Sequence, residues 1–292
     1  MYAVAEPAVK LGALVGEGRT SDVYGWGADS VVKVPRAWVP DDWAAIEAQL
    51  SSEVVRCGVS APEVRDLTSV DGRQAVVFER IEGPTLWSEM VDRPSEIPAL
   101  GRAMADLQRE IHSTGPSGSL PDVVERTCSK IDDATELSDG DRRDAKSIVR
   151  SLPRGAALLH GDLHPGNVIV SPRGLVTIDW FDAAVGHPLA DVVRTSIMCR
   201  PTEAETPVNH LPGASAGAMS QIHELHLEAF GALLAHSGSQ LRDWESVMAV
   251  SRLAERTDVD DARLLRLWND RHHVDWSSPL GELAPVDIST SG

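Results

Sequence analysis

Asp162, Asn167 and Asp179 are the residues whose types and spacing could do chemistry. They lie in LLHGDLHPGNVIVSPRGLVTIDWFD at 158–182, where Asn167 follows Asp162 by five positions and Asp182 follows Asp179 by three. Mg²⁺ is a hard cation that takes oxygen ligands, usually one or two carboxylates together with phosphate oxygens. Asp179 and Asn167 supply such oxygens, while Asp162 can orient or deprotonate an attacking hydroxyl. The chemistry that wants this set is phosphoryl transfer, where positioning and charge neutralisation do most of the catalysis.

The elements that must position these groups can be read around them. An apolar run from Ala156 to Leu159 leads into His160-Gly161-Asp162. Val168-Ile169-Val170 and Leu175-Val176-Thr177-Ile178 read as short strands joined by Ser171-Pro172-Arg173-Gly174. Pro at the second position and Gly at the fourth suit a type I turn. The hairpin delivers Asp179 at its end and draws the three side chains towards one point. His160 and His164 would make a zinc pair only on a helix, and Pro165-Gly166 breaks any helix there. His160 reads instead as a structural hydrogen-bonding residue.

HGDLHPGN followed by IDW resembles the aminoglycoside phosphotransferase family, within the wider group of choline-kinase-like small-molecule kinases. The spacing is also similar to the protein-kinase signature of a catalytic Asp, an Asn five residues on and a metal-binding Asp after a hairpin. Gly161 stands where protein kinases carry Arg, and Asp179-Trp180-Phe181 where they carry Asp-Phe-Gly. Both departures point away from protein substrates.

Residues 10–34, KLGALVGEGRTSDVYGWGADSVVKV, read as three strands with a glycine turn after the first. Gly16 and Gly18 let backbone N–H groups approach phosphate oxygens. The loop resembles the kinase pattern G-x-G-x-x-G-x-V, with Ser21 in place of the third glycine. Lys33 interrupts the β-branched run Val31-Val32-Lys33-Val34, and a charge there is costly unless exposed or paired. A helix is predicted over 41–55 from apolar spacing at Trp43, Ile46, Leu50 and Val54, with Asp41 or Asp42 as its cap. Glu47 and Glu53 compete to be the partner of Lys33, and the mid-helix Glu47 is chosen. RQAVVFERIE at 73–82 is a further strand ending at Gly83-Pro84. By resemblance it becomes the hinge whose backbone, at Glu79, Arg80 and Ile81, contacts the adenine.

Beyond residue 83 the pattern turns helical. A helix is expected over 95–113, ending at a packed or capping His112, and two more over 120–152 with a turn and cap at 138–141. Gly186-His187-Pro188 opens another helix, on which Asp191 braces the catalytic loop. Three prolines, Pro201, Pro207 and Pro212, mark 200–220 as a loop and a candidate lid or acceptor segment. Helices follow over 220–236, 243–255 and 258–271. Glu224, Glu228, Asp243, Glu245 and Glu255 could line an acceptor pocket, though surface solvation is the default reading.

The net charge of −17 over 292 residues argues against nucleic-acid binding and is compatible with a cationic acceptor. No apolar run approaches the ~20 residues that span a bilayer. The start, MYAVAEPAVKLG, lacks signal-peptide character. Cys57, Cys128 and Cys199 are far apart and odd in number, which fits a reduced cytoplasm.

The resemblance implies an α+β, protein-kinase-like two-lobed fold, with an antiparallel β N-lobe carrying one helix and a mainly helical C-lobe. Residues 1–83 would form the nucleotide lobe and hinge, and 84–292 the catalytic and acceptor lobe. It implies transfer of the ATP γ-phosphoryl to a hydroxyl of a small molecule. Asp162 would be base or orienter, Asn167 and Asp179 the Mg²⁺ ligands, Lys33 the phosphate clamp and Glu47 its partner. An aminoglycoside-type antibiotic leads among acceptors, which would make the chain a resistance enzyme. A metabolic kinase for an amino sugar, choline or homoserine is the alternative, followed by a silent nucleotide-binding pseudokinase. Choline would need an aromatic cage, for which Trp244, Trp268 and Trp276 are available. GTP stands open beside ATP.

Overall fold

The computed structural model describes residues 11–116, 119–200, 216–255 and 261–271. Leu14–Glu17 (β1), Ser21–Trp26 (β2), Ser30–Pro35 (β3), Val64–Val70 (β4) and Arg73–Glu79 (β5) form an antiparallel sheet in the order β1-β2-β3-β5-β4. Strand alternation gives the sheet two apolar faces. Ala75 and Val77 join Val32 on one face, whereas Val76 and Phe78 point the other way, onto Ala44 and Ala48 of helix α1 (Trp43–Arg56). Asp42 stands at the helix cap, but its side chain makes no capping hydrogen bond. Ile46, expected in the core stripe, faces outward at 37% exposure.

The chain leaves β5 along the second sheet system. Ala157–Leu159 (β6) pairs with Ala184–Gly186 (β9), and Val168–Ser171 (β7) with Gly174–Thr177 (β8). Val170 N–H donates to the Pro84 carbonyl at 2.8 Å, and Thr85 bridges to Ile169. This docking leaves no room at Gly83, where φ is +140° and an added Cβ would lie 2.1 Å from the Val170 carbonyl oxygen. Gly83→Ala should cost about 1–3 kcal/mol from backbone strain and lower Tm by roughly 5 °C in a thermal melt.

The rest is mainly helical: Leu86–Asp92 (α2), Ile97–Ser113 (α3), Val123–Asp133 (α4), Asp139–Ser151 (α5), Pro188–Cys199 (α6), Ala216–Ala229 (α7), Gly231–Ala235 (α8), Ser239–Leu253 (α9) and Asp261–Asn269 (α10). Ser138 caps α5, accepting from Asp141 N–H, as the expected turn and cap at 138–141 predicts, and His187 caps α6 by accepting Leu189 N–H. Helix α2 went unread in the sequence; its cap is Thr85, which accepts from Ser88 N–H. Helix α6 is buried from Leu189 to Cys199 and packs against α9, so every polar side chain it carries must find a partner inside. The proposed lid at 200–220 falls largely outside the described residues. Among the described residues, no helix is long and apolar enough to cross a membrane.

Candidate active site

Register explains how Lys33 meets Glu47. Lys33 stands opposite Val76 across the β3–β5 ladder, and cross-strand partners share a face. Val76 packs on α1, so the lysine points to that helix as well. Its Nζ lies 2.6 Å from Glu47 Oε1 and 3.0 Å from Asp179 Oδ1. Burial alone would pull the ammonium's pKa down. The Asp179 and Glu47 carboxylates outweigh it and hold the pKa above the usual lysine value. Glu53, the rejected partner, pairs with Arg56 at 2.6 Å on its own helix.

The β7–β8 hairpin converges Asn167 and Asp179 as its sequence implies. Val168 faces Thr177, and one step further Ile178 N–H donates to the Asn167 carbonyl at 3.0 Å. Asp179 follows in the left-handed region (φ 64°, ψ 66°), which swings the chain into a 3-10 turn at Trp180–Asp182. Non-glycine residues in that region concentrate at functional sites. Asn167 Nδ2 donates to the Asp162 carbonyl at 2.9 Å and to Asp162 Oδ2 at 3.4 Å. The amide oxygen therefore turns away from these acceptors and is free to be a ligand. Together with the Asp179 carboxylate it forms an all-oxygen donor set, which fits Mg²⁺.

The loop before it is fixed from below. Gly161 has φ +78°, and a Cβ there would lie 2.3 Å from the Asp182 carbonyl oxygen. The arginine that protein kinases carry at this point has no room. Asp191 of α6 accepts from Gly161 N–H (2.7 Å), His160 N–H (3.3 Å), Gln108 Nε2 (3.1 Å) and His112 Nε2 (2.8 Å). Burial opposes ionisation of Asp191, yet His112 and Gln108 hold its carboxyl well below the usual carboxylate range. The His160 ring accepts Asp162 N–H at Nδ1 (3.2 Å) and donates from Nε2 to the Ile178 carbonyl (3.1 Å). It is a structural strut, as read from the sequence.

Some contacts escaped the sequence reading. Trp43 of α1 stacks on Phe181 with ring centroids 3.6 Å apart and planes 7° apart, and Arg126 lies 5.3 Å from the same ring. Asp182 is held by Arg126 (2.8 Å) and Lys130 (2.7 Å) from α4, and Arg194 of α6 reaches Asp162 Oδ1 at 3.3 Å. A positive charge inside the otherwise uncharged stretch 192–199 of α6 was the available signal for Arg194, the same cue that singled out Lys33.

The remaining candidates fall as follows. Gly16 sits in β1 opposite Val23, and Gly18 N–H donates to the Ser21 carbonyl at 2.9 Å. Arg36 fastens this turn through the Gly18 carbonyl (3.0 Å) and Asp22 (2.8 Å). Ser21 is buried at the head of β2. Glu79 forks onto Arg173 of the β7–β8 hairpin (2.7 and 3.2 Å), and Arg80 pairs with Glu82 (2.6 Å). Ile81 is half-buried beside them. Glu245 and Glu255 do not line an open pocket, because Glu245 pairs with Arg200, and Glu255 with Arg194 and Lys130. Glu224 and Glu228 are exposed, and Asp243 is half-buried. Trp244 and Trp268 make no aromatic cage; both are core residues at 0% and 1% exposure, while Trp276 lies outside the described residues.

The family model described as "Phosphotransferase enzyme family" (APH) matches residues 13–225. An uncharacterised protein of Bacillus subtilis (strain 168), YcbJ, is 24% identical over 169 residues, 51% of this chain and 54% of its own length. The chain thus spans about half the length of that curated relative. A thermostable mutant of aminoglycoside phosphotransferase APH(4)-Ia, solved as a ternary complex with ADP and hygromycin B, superposes with a TM-score of 0.63 at 17% identity. That match covers 90% of this chain and 92% of the other. A mutant aminoglycoside 2'-phosphotransferase-IIIa solved with GDP gives a TM-score of 0.51 at 17% identity, covering 91% and 92%. These likenesses make the fold protein-kinase-like. With most of its length, including both the glycine turn and the catalytic hairpin, inside the matched span, the chain belongs to the APH phosphotransferase enzyme family.

Proposed function

We propose that the chain is an ATP-dependent O-phosphotransferase acting on a hydroxyl of a small molecule. The observation that carries this reading is that Lys33 meets both Glu47 and Asp179, while the hairpin that ends at Asp179 begins beside Asn167, whose side chain donates to Asp162. Residues 1–83 form the nucleotide lobe and hinge, and 84–292 the catalytic and acceptor lobe. Lys33 clamps the α- and β-phosphates, with Glu47 holding it in place. Asp162 orients the acceptor hydroxyl and takes its proton as the acceptor oxygen bonds to the γ-phosphorus and the bond to the β-phosphate oxygen breaks, releasing ADP. Asn167 and Asp179 would hold Mg²⁺, whose charge neutralises the phosphate oxygens when bound. Gly16, Gly18 and Ser21 cover the phosphates, and the backbone of Glu79, Arg80 and Ile81 meets the base. Backbone contacts accept either purine, so GTP stands beside ATP, in keeping with the GDP complex of one structural neighbour.

The acceptor class favoured is a cationic, hydroxylated aminoglycoside-type antibiotic, on the strength of the net charge of −17 and of the hygromycin B held by the APH(4)-Ia neighbour. Resistance would be the biological role and the cytoplasm the setting, where Cys57, Cys128 and Cys199, none of them in a disulfide, stay reduced. A metabolic kinase for an amino sugar or other small alcohol is the second reading. It is favoured by the internal pairing of Glu245 and Glu255, which removes two carboxylates from those a polycation could use. ADP release from Mg-ATP across aminoglycosides, amino sugars, homoserine and choline tests the proposal. A response confined to aminoglycosides is expected. A response to amino sugars alone replaces the acceptor class, and no ADP release with any acceptor overturns the enzymatic reading.

A further inference from the structure

We infer that Arg194 is the positioning residue of the catalytic loop, holding the Asp162 carboxylate in place through a buried charge relay that runs to the end of helix α9. The inference rests on the reading of Asp162 as the base. Arg194 rises from the middle of α6 with its side chain only 4% exposed. Its Nε donates to the Gly161 carbonyl at 3.1 Å, and a terminal nitrogen donates to Asp162 Oδ1 at 3.3 Å. One planar guanidinium thus grips the loop's backbone and its side chain at adjacent residues.

Asn167 meets the other carboxylate oxygen, Oδ2, at 3.4 Å. Each oxygen of Asp162 therefore has its own fixed donor, and rotation of the carboxylate about its last bond is blocked from two sides. The guanidinium comes from α6 because the loop cannot supply one: Gly161 admits no side chain against Asp182.

The grip is itself braced. The terminal nitrogen that reaches Asp162 also contacts Glu255 and lies 3.8 Å from Asp182 Oδ2. Lys130 bridges those two acids at 3.2 and 2.7 Å, and Arg126 holds the far oxygen of Asp182 at 2.8 Å. Arg252 lies 3.8 Å from the other oxygen of Glu255. Four cations and three carboxylates, drawn from α4, the catalytic hairpin, α6 and the end of α9, so form one continuous network. Lysine does not reproduce Arg194 in it, since a single ammonium lacks the planar fork whose two nitrogens reach the Gly161 carbonyl on one side and Asp162 and Glu255 on the other. A purely structural ion pair would contribute stability without setting the reaction rate.

The test compares ADP release from Mg-ATP by the full chain and its Arg194→Ala, Arg194→Lys and Asp162→Ala variants, with the acceptor that responds in the panel above. Misplacing a reacting group by about 1 Å costs on the order of 100-fold. Arg194→Ala should lower kcat by about that factor with KM for ATP within about twofold, because Arg194 touches no group assigned to the nucleotide. Guanidinium chloride at millimolar concentration should restore kcat several-fold in Arg194→Ala and leave Asp162→Ala unchanged. Arg194→Lys, which keeps the network's charge and hence its fold, should still be at least about tenfold slow. Parental kcat in Arg194→Lys, or a loss in Arg194→Ala that guanidinium does not relieve, overturns the proposal. If Asp162→Ala itself keeps parental activity, the assignment of the base fails instead.

Discussion

Asp162→Asn should transfer phosphate about 10²–10⁴-fold more slowly than the parent enzyme and bind Mg-ATP with unchanged affinity. The substitution is nearly isosteric. Arg194 still finds an oxygen, and the Asp162 main chain continues to accept from Asn167 and to donate to His160. Removed is the carboxylate that can take a proton from an incoming hydroxyl. The Asp162 carboxylate meets Asn167 and Arg194, whereas Lys33 pairs with Glu47 and Asp179, so the phosphate clamp keeps its own contacts. Nucleotide titration by calorimetry and steady-state ADP release, run on one preparation, separate the two effects. A parental rate would remove Asp162 from the mechanism.

Asp191→Ala is the larger structural lesion. Four N–H donors, two of them catalytic-loop backbone, lose their shared acceptor in a fully buried site. Breaking a buried charge network by deleting one partner costs about 3–5 kcal/mol, which lowers Tm by roughly 10 °C. Activity falls with it, because the loop bearing Asp162 is no longer tied to α6. The same carboxylate shapes the response to acid. Despite burial, Asp191 and Asp182 are both held below the usual carboxylate range by His112 and Gln108, and by Lys130, Arg126 and Arg194, respectively. Glu255 is likewise brought down to about 2, its burial outweighed by Arg194 and Lys130. A carboxylate depressed in the folded state contributes stability above its unfolded pKa of about 4 and loses it as pH falls through the folded value. Tm should therefore decline steeply below about pH 4, and the Asp191→Ala variant should show a shallower decline. Coincident slopes would mean that Asp191 is not part of the acid-sensitive set.

Much of this site was legible because its parts are local. Asp162, Asn167 and Asp179 are joined by one hairpin, whose turn residues and strand lengths fix where each side chain emerges. Lys33 and Glu47 were legible by a different route: a charge in a β-branched strand needs a partner, and the next helix offers only two glutamates. The charge relay was not. Lys130, Asp182, Arg194 and Glu255 come from separate elements and meet only when α4, α6 and α9 pack, so no spacing in the chain records their contact. For the same reason Glu245 and Glu255 could not be told from solvated surface acids. Helix α2 was passed over because its seven residues come just after Gly83-Pro84-Thr85 and are too few to display a helical period.

The stack of Trp43 on Phe181 sets a scale for how firmly α1 is held to the turn after Asp179. It joins the helix that carries Glu47 to the turn that begins at Asp179, so parting those two elements separates the rings. An aromatic pair of this kind is worth about 0.5–1.5 kcal/mol beyond the area it buries. Here the gain is offset in part, because the Trp43 indole N–H is buried without a hydrogen-bond partner. A bias of about 1 kcal/mol shifts a two-state equilibrium by only about fivefold. The two rings therefore act as a latch rather than a weld. Their stacking favours the packed arrangement of α1 against the Asp179 turn by about that factor and no more.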